Sequence, residues 1–171
     1  LESADVCLSL GLHQESIRRY QNSPPTVQAE LGLAKAYMQC GRYKDVPPVL
    51  GDLMPELQPE DAEADIIYAR ALLLAGDLEA CEKSLELAES RFEIHPRRNR
   101  LQATRGLVYF YRGEIRTARH ILEDAYAQAK ADQDPDLDAL RSNLALILQK
   151  DHDVQGSRVL YSESLADARS K

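Results

Sequence analysis

A chain of 171 residues with 44% apolar and 29% charged side chains, 8 Gly and 8 Pro can bury a core; it is not a disordered, collagen-like or disulfide-stapled sequence. A formal net charge of −7 argues against a general binder of phosphate backbones, whose affinity comes from Lys and Arg displacing counterions. Aromatic content is 6% with no Trp, while Ala, Leu, Glu, Arg and Asp recur, which is the palette of an all-α protein.

In chain order, helices are expected over 2–10, 13–22, 25–40, 45–57, 60–75, 78–93, 97–112, 115–131, 135–150 and 154–169. Pro24-Pro25, Pro59, Pro96 and Pro135 stand where alternate helices begin, a position where a missing N–H costs nothing. Asp134-Pro135-Asp136 is the clearest such start: Asp134 can cap, and both carboxylates oppose the positive end of the helix dipole. The 45–57 helix is expected to be short or kinked, with Asp45 as its cap, because Pro47, Pro48, Gly51 and Pro55 fall inside it. No apolar run approaches the roughly 18 residues that cross a bilayer, and no signal peptide opens the chain. Leu1 reads as the boundary of a fragment of a larger protein.

The helices form a repeat. Small or modest residues stand twelve apart at Ala4 and Ser16, Ala34 and Val46, Ala69 and Cys81, Gly106 and Ala118, and Ala145 and Ser157. Three residues after the first of each pair comes a larger side chain, Cys7, Tyr37, Leu72, Tyr109 or Leu148. Four after the second comes Tyr20, Leu50, Leu85, Leu122 or Tyr161. Between the pair lies Gly11, Gly41, Gly76 or Gly113, with His152 in that place in the last unit; glycine there suits a left-handed helix terminus. Each unit is therefore a helical hairpin, helix A then helix B, in which small residues let two backbones approach. The turn positions are 30, 35, 37 and 39 residues apart, so length varies at the joints and not inside the hairpin.

This pattern resembles the tetratricopeptide repeat, whose helix A carries Leu-Gly-x-x-Tyr and whose helix B carries Ala-x-x-x-Phe. Leu33-Ala34-Lys35-Ala36-Tyr37 and Gly106-Leu107-Val108-Tyr109 stand in for the first; Ala118-Arg119-His120-Ile121-Leu122 and Ser157-Arg158-Val159-Leu160-Tyr161 stand in for the second. The likeness covers nearly the whole chain, with repeats at about 1–23, 25–57, 60–93, 97–131 and 135–169 in a single domain, 1–171. The long later units are similar to divergent repeats of bacterial signal-responsive regulators. The resemblance implies an α-solenoid, a right-handed superhelix of about five antiparallel repeats whose A helices line a concave groove. It also implies a non-catalytic scaffold that binds a protein or peptide, including another domain of its parent chain. A sensory domain of a larger regulator and a self-assembly module are the alternatives.

The groove then nominates Gln28, Lys35, Gln39, Arg70, Thr104, Tyr111, Asn143 and Gln149, with Ser142 beside them. Arg97, Arg98 and Arg100 form a basic joint that sits against the helix dipole; a solvated joint is the plain reading and an acidic partner segment the alternative. The set of side chains with which some relatives clamp a terminal carboxylate is missing.

No catalytic chemistry emerges. Phosphate-cradling glycine loops and GxSxG elbows are absent, and His13, His95, His120 and His152 are read as lacking the one-turn partners of a zinc site. Cys7, Cys40 and Cys81 are odd in number, without CxxC spacing, and read as reduced thiols. Carboxylates read as solvated faces and pairs such as Glu79 with Lys83. No enzyme activity, cofactor, metal, nucleic acid or membrane insertion is expected, and the cytoplasm is the expected location.

Overall fold

The computed structural model describes residues 1–170. Ten α-helices follow one another: α1 (Glu2–Ser9), α2 (His13–Gln21), α3 (Val27–Gln39), α4 (Val46–Leu50), α5 (Glu63–Ala75), α6 (Leu78–Arg91), α7 (Arg98–Tyr111), α8 (Ile115–Ala131), α9 (Leu137–Lys150) and α10 (Val154–Ser170). Among the described residues there is no strand, and no helix is long and apolar enough to cross a membrane. The helices pack as consecutive hairpins, α1 with α2 through α9 with α10. They group into two compact units, one from Leu1 to Pro96 and one from Arg97 onward.

The pair of small residues is the hinge of every hairpin. Ala4 and Ser16, Ala34 and Val46, Ala69 and Cys81, Gly106 and Ala118, and Ala145 and Ser157 are all buried. In the first hairpin they touch directly: Ser16 Oγ donates to the Ala4 carbonyl at 3.1 Å. Large side chains then fill the space on either side. In the first unit Tyr20 lies buried with Leu31, Ala34, Tyr37, Leu50 and Ile67. A Cβ at position 32 would stand 2.4 Å from the Tyr20 ring, so only glycine there lets α3 approach α2. The Tyr20 hydroxyl donates to Asp5, and burial together with that carboxylate holds its pKa well above the ordinary phenol range. In the second unit Leu122, Tyr126, Leu140, Leu144 and Ile147 form the corresponding core.

The turns follow the expected chemistry. Gly11, Gly41, Gly76 and Gly113 all have positive φ. At Gly76 (φ 87°) the amide donates to the Leu73 carbonyl at 3.1 Å and the Asp77 amide to Leu72 at 3.0 Å, satisfying the last carbonyls of α5. His152 adopts the same conformation (φ 63°), with the Asp153 amide on the Leu148 carbonyl at 2.8 Å. A side chain in this region strains the backbone by roughly 1–2 kcal/mol. His152→Gly is therefore expected to stabilise the second unit by about 0.5–1 kcal/mol after the added freedom of the unfolded chain, read as a rise in denaturation midpoint. Gln133 (φ 52°) makes an unanticipated second case at the end of α8.

The helix starts differ from expectation. Each proline precedes its α-helix by two to four residues, and Pro59 occupies the first turn of a 3₁₀ segment, Pro59–Asp61, that leads into α5. Thr26, not Pro25, occupies the extended N-cap of α3, where its hydroxyl accepts the Ala29 amide at 3.2 Å. Asp134 Oδ1 accepts the Asp136 amide at 2.8 Å, and α9 begins at Leu137. The interrupted helix is as short as Pro47, Pro48 and Pro55 require: α4 has five residues and gives way to a 3₁₀ segment, Gly51–Glu56. Asp45 holds the N-cap position but does not cap; its carboxylate takes Arg42 Nε at 2.6 Å.

Candidate partner-binding site

In the first unit, α3 and α5 are neighbouring A helices. Gln28, Lys35 and Gln39 lie seven and four residues apart on α3, so they share one stripe. The stripe is joined to the start of α5: Lys35 Nζ lies 2.8 Å from Glu63, and Gln28 Nε2 donates to Asp61 at 3.4 Å. Arg70 occupies on α5 the place of Lys35 on α3, directly after the small residue, and is half-buried. Gln28 and Gln39 are exposed.

In the second unit, the same offsets from the small residue select Tyr111, as nominated, and otherwise different side chains. Leu107 on α7 and Leu146 on α9 correspond to Lys35 and Arg70, and Tyr111 and Lys150 correspond to Gln39. Tyr111 is 57% exposed, with its ring edge-on to Phe110 at 5.5 Å between centroids, and Leu146 is 37% exposed. Thr104 does not belong to the surface: it is 2% exposed, and its hydroxyl donates to the Arg100 carbonyl at 2.9 Å. It stands two residues before Gly106, the place where α3 carries Gly32 against Tyr20, which is a packing position. Asn143, at the same offset on α9, is half-buried; Gln149 and Ser142 are exposed. The A-helix stripe is thus mainly polar in the first unit, with Leu74 as its exposed apolar member, and mixes Leu107, Leu146 and Tyr111 with Lys150 in the second.

The basic joint has its counterpart within the chain. Arg97 Nη1 lies 3.0 Å and Arg100 Nη1 3.5 Å from Asp136, and Arg98 Nη2 lies 3.0 Å from Asp132. Asn99 donates to Asp134 at 2.8 Å. The turn between α8 and α9 is the acidic segment that permits three arginines at the N-terminal end of α7. Arg98, first, and Gln128 hold the Asp132 carboxyl below its ordinary range. A comparable network lies at the other end of this hairpin, where Arg119 reaches Glu123 at 2.8 Å, Asp151 at 2.9 Å and Asp153 at 3.1 Å.

Two buried charges escaped the sequence reading. In the first unit Asp65, buried on α5, accepts from Arg91 and meets His95 Nε2 at 3.0 Å. Phe92 packs edge-on against the His95 ring at 5.4 Å. This cluster binds the end of α6 and the segment after it to α5. In the second unit Arg141, buried on α9, reaches Asp138 at 3.2 Å and Asp167 at 2.7 Å, while Tyr126 donates to Glu163 beside it at 3.0 Å. Asp65 was visible as a carboxylate within the apolar run Ala64-Asp65-Ile66-Ile67, which is the signal that marks a paired buried charge. His120 also has the one-turn neighbour it was read as lacking: Nε2 lies 3.5 Å from Asp124, with both side chains exposed. The Glu79–Lys83 pair forms at 2.7 Å. Among the described residues no three ligating side chains are gathered for a metal.

No protein-family model and no curated protein sequence matches the chain. Solved structures do. A thermophilic TPR protein of Thermus thermophilus is 21% identical, with a TM-score of 0.78 over 99% of this chain and 90% of that one. The kinesin light chain nearly identical TPR-like repeats of Podosopora anserina are 20% identical, with a TM-score of 0.65 over 99% and 94%. MamA of Desulfovibrio magneticus RS-1 is 17% identical, with a TM-score of 0.63 over 99% and 93%.

Proposed function

From the tetratricopeptide-repeat fold that these likenesses establish, we propose that the chain is a non-catalytic scaffold whose A helices bind a peptide or protein segment. The observation that carries this reading is the stripe at fixed offset from the small residues. Packing of the hairpins uses the positions on either side of it. The stripe is half-buried at Lys35, Arg70 and Leu107 and open to solvent at Gln28 and Gln39 in the first unit and at Leu146 and the Tyr111 ring in the second. An aromatic with an apolar body and a polar tip, set among polar neighbours, is the composition of a binding hot spot rather than of a plain solvated face. Arg70, Lys35, Gln28 and Gln39 supply polar contacts in the first unit, and Asn143 and Gln149 border the second. Arg97, Arg98 and Arg100 form a rim whose charge is largely matched by Asp132 and Asp136. Within each unit, neighbouring hairpins stabilise one another, and the repeat carries no chemistry of its own.

Peptides selected from a random library for binding to the chain provide the test. Tyr111→Ala combined with Leu146→Ser is expected to weaken the selected peptides at least tenfold, about 1.4 kcal/mol, whereas His120→Ala on the exposed face of α8 leaves them unchanged. Equal affinity for all three proteins would remove the A-helix assignment.

A further inference from the structure

Three hairpins carry polar residues at one common pair of positions, four residues before the small residue of helix A and ten after that of helix B. In α5 and α6 these are Asp65 and Arg91, and in α9 and α10 they are Arg141 and Asp167. Both are ion pairs, and in both the A-helix member is buried. In α7 and α8 the same positions hold Gln102 and Gln128. Neither carries a charge, and a cleft of about 370 Å³ opens there, lined by both glutamines together with Ile121 and Ala125. Arg98, Asn99 and Asp124 complete its lining. The donors among these side chains are turned to the acidic segment after α8: Arg98 lies 3.0 Å from Asp132, Asn99 Nδ2 donates to Asp134 at 2.8 Å, and Gln128 Nε2 donates to Asp132 at 2.9 Å. The groups left for a ligand are the amide oxygens of Asn99 and Gln128 and the carboxylate of Asp124, which is 72% exposed beside the equally exposed His120 at 3.5 Å.

A carboxylate, two amide oxygens and a hydrocarbon wall suit a cation on an apolar stem. Arginine meets this best: its planar guanidinium has only donors and can serve a carboxylate and an amide oxygen at once, while its methylenes lie on Ile121 and Ala125. The chain itself uses an arginine at the matching position of α6, where Arg91 reaches a carboxylate across the hairpin. We propose that the cleft between α7 and α8 receives an arginine side chain of a partner protein, which donates to Asp124 and takes the place that Arg91 fills from within in the α5–α6 hairpin. The cleft lies at the opposite end of α7 from Tyr111, so the contact is separate from the A-helix stripe. Tyr111→Ala with Leu146→Ser leaves it unchanged, and one side chain held this weakly does not by itself select peptides for the stripe.

Titration of the isotope-labelled full chain with acetyl-arginine amide, followed by amide chemical shifts, tests it. Saturable shifts are expected at Gln102, Ile121, Asp124 and Gln128, with a dissociation constant of about 1–10 mM, as befits one partly exposed ion pair. Acetyl-citrulline amide, the uncharged isostere, should leave those positions unmoved, and acetyl-lysine amide, a point charge without the fork, should bind at least about threefold more weakly. Asp124→Asn should weaken the arginine amide at least about fivefold. Gln128→Arg, which supplies a guanidinium one turn from Asp124 within α8, should abolish its binding. Both substituted positions are exposed, so helicity and melting should match the wild type. Equal shifts with the arginine and citrulline amides overturn the proposal. So do an Asp124→Asn chain that binds as the wild type does, lysine amide binding as tightly as arginine amide, or shifts that leave out the four positions.

Discussion

Leu122→Ala should destabilise the second unit by about 3–4 kcal/mol, the upper half of the range for a fully buried leucine whose surroundings cannot collapse. Leu122 is buried in the core that α8 shares with α9, and it also reaches the glycine of the preceding A helix. A Cβ at Gly106 would lie 2.8 Å from Leu122 Cγ and 3.4 Å from the Ala118 carbonyl oxygen. Gly106→Ala alone therefore overpacks the hairpin by about 1–3 kcal/mol, offset in part by roughly 1 kcal/mol of helix propensity. With Leu122→Ala already in place, the main obstacle is gone, and the same methyl should be neutral or stabilising. The cycle measured by chemical denaturation should show a coupling of about 1–3 kcal/mol. Additive effects would mean that the small residue of helix A is not there to admit the large residue of helix B.

Asp65→Ala is expected to be comparably severe in the first unit, about 3 kcal/mol. Removing one member of a buried charged cluster leaves the others without their counter-charge, which typically costs about 3–5 kcal/mol. Here the loss lies at the low end because Arg91 keeps 18% exposure and can turn toward water, while His95, at 2%, cannot. Arg91→Ala should be milder than Asp65→Ala, since the Asp65–His95 contact survives it. Hydrogen exchange should show the loss of protection in α5 and at the end of α6. A change below about 1 kcal/mol for Asp65→Ala would contradict the clamp.

The hairpins were legible because their determinants are local. A small residue on each helix, twelve apart, and a left-handed residue between them specify the close approach and the turn, and even His152 takes the conformation that the glycine pattern assigns to its place. The break in α4 was equally local, since prolines remove donors wherever they fall. The helix starts were less so, because the proline and the capping side chain are different residues: Thr26 caps α3 and Pro25 only leads the chain to it.

The candidate site was read less well, and the reason is register. Thr104 and Asn143 are nominated as groove-facing positions of their A helices, yet they share the offset of Gly32, which faces the preceding B helix; the offset of Lys35 leads to Leu107 and Leu146. The basic run at Arg97, Arg98 and Arg100 and the acidic run from Asp132 to Asp136 were both visible, but their pairing joins residues 34 to 39 apart and needs the hairpin between them. Asp65 with Arg91 and His95, 26 and 30 residues away, is a further charge contact that only packing reveals.

The central functional claim is that partners dock on the A helices. Hydrogen exchange of the chain with and without a selected peptide tests it most directly. The account predicts added protection in α7 around Leu107 and Tyr111 and in α9 around Leu146, with α8 unchanged. Protection confined to α8 and the outer face of α10, with none in α7 and α9, would contradict it.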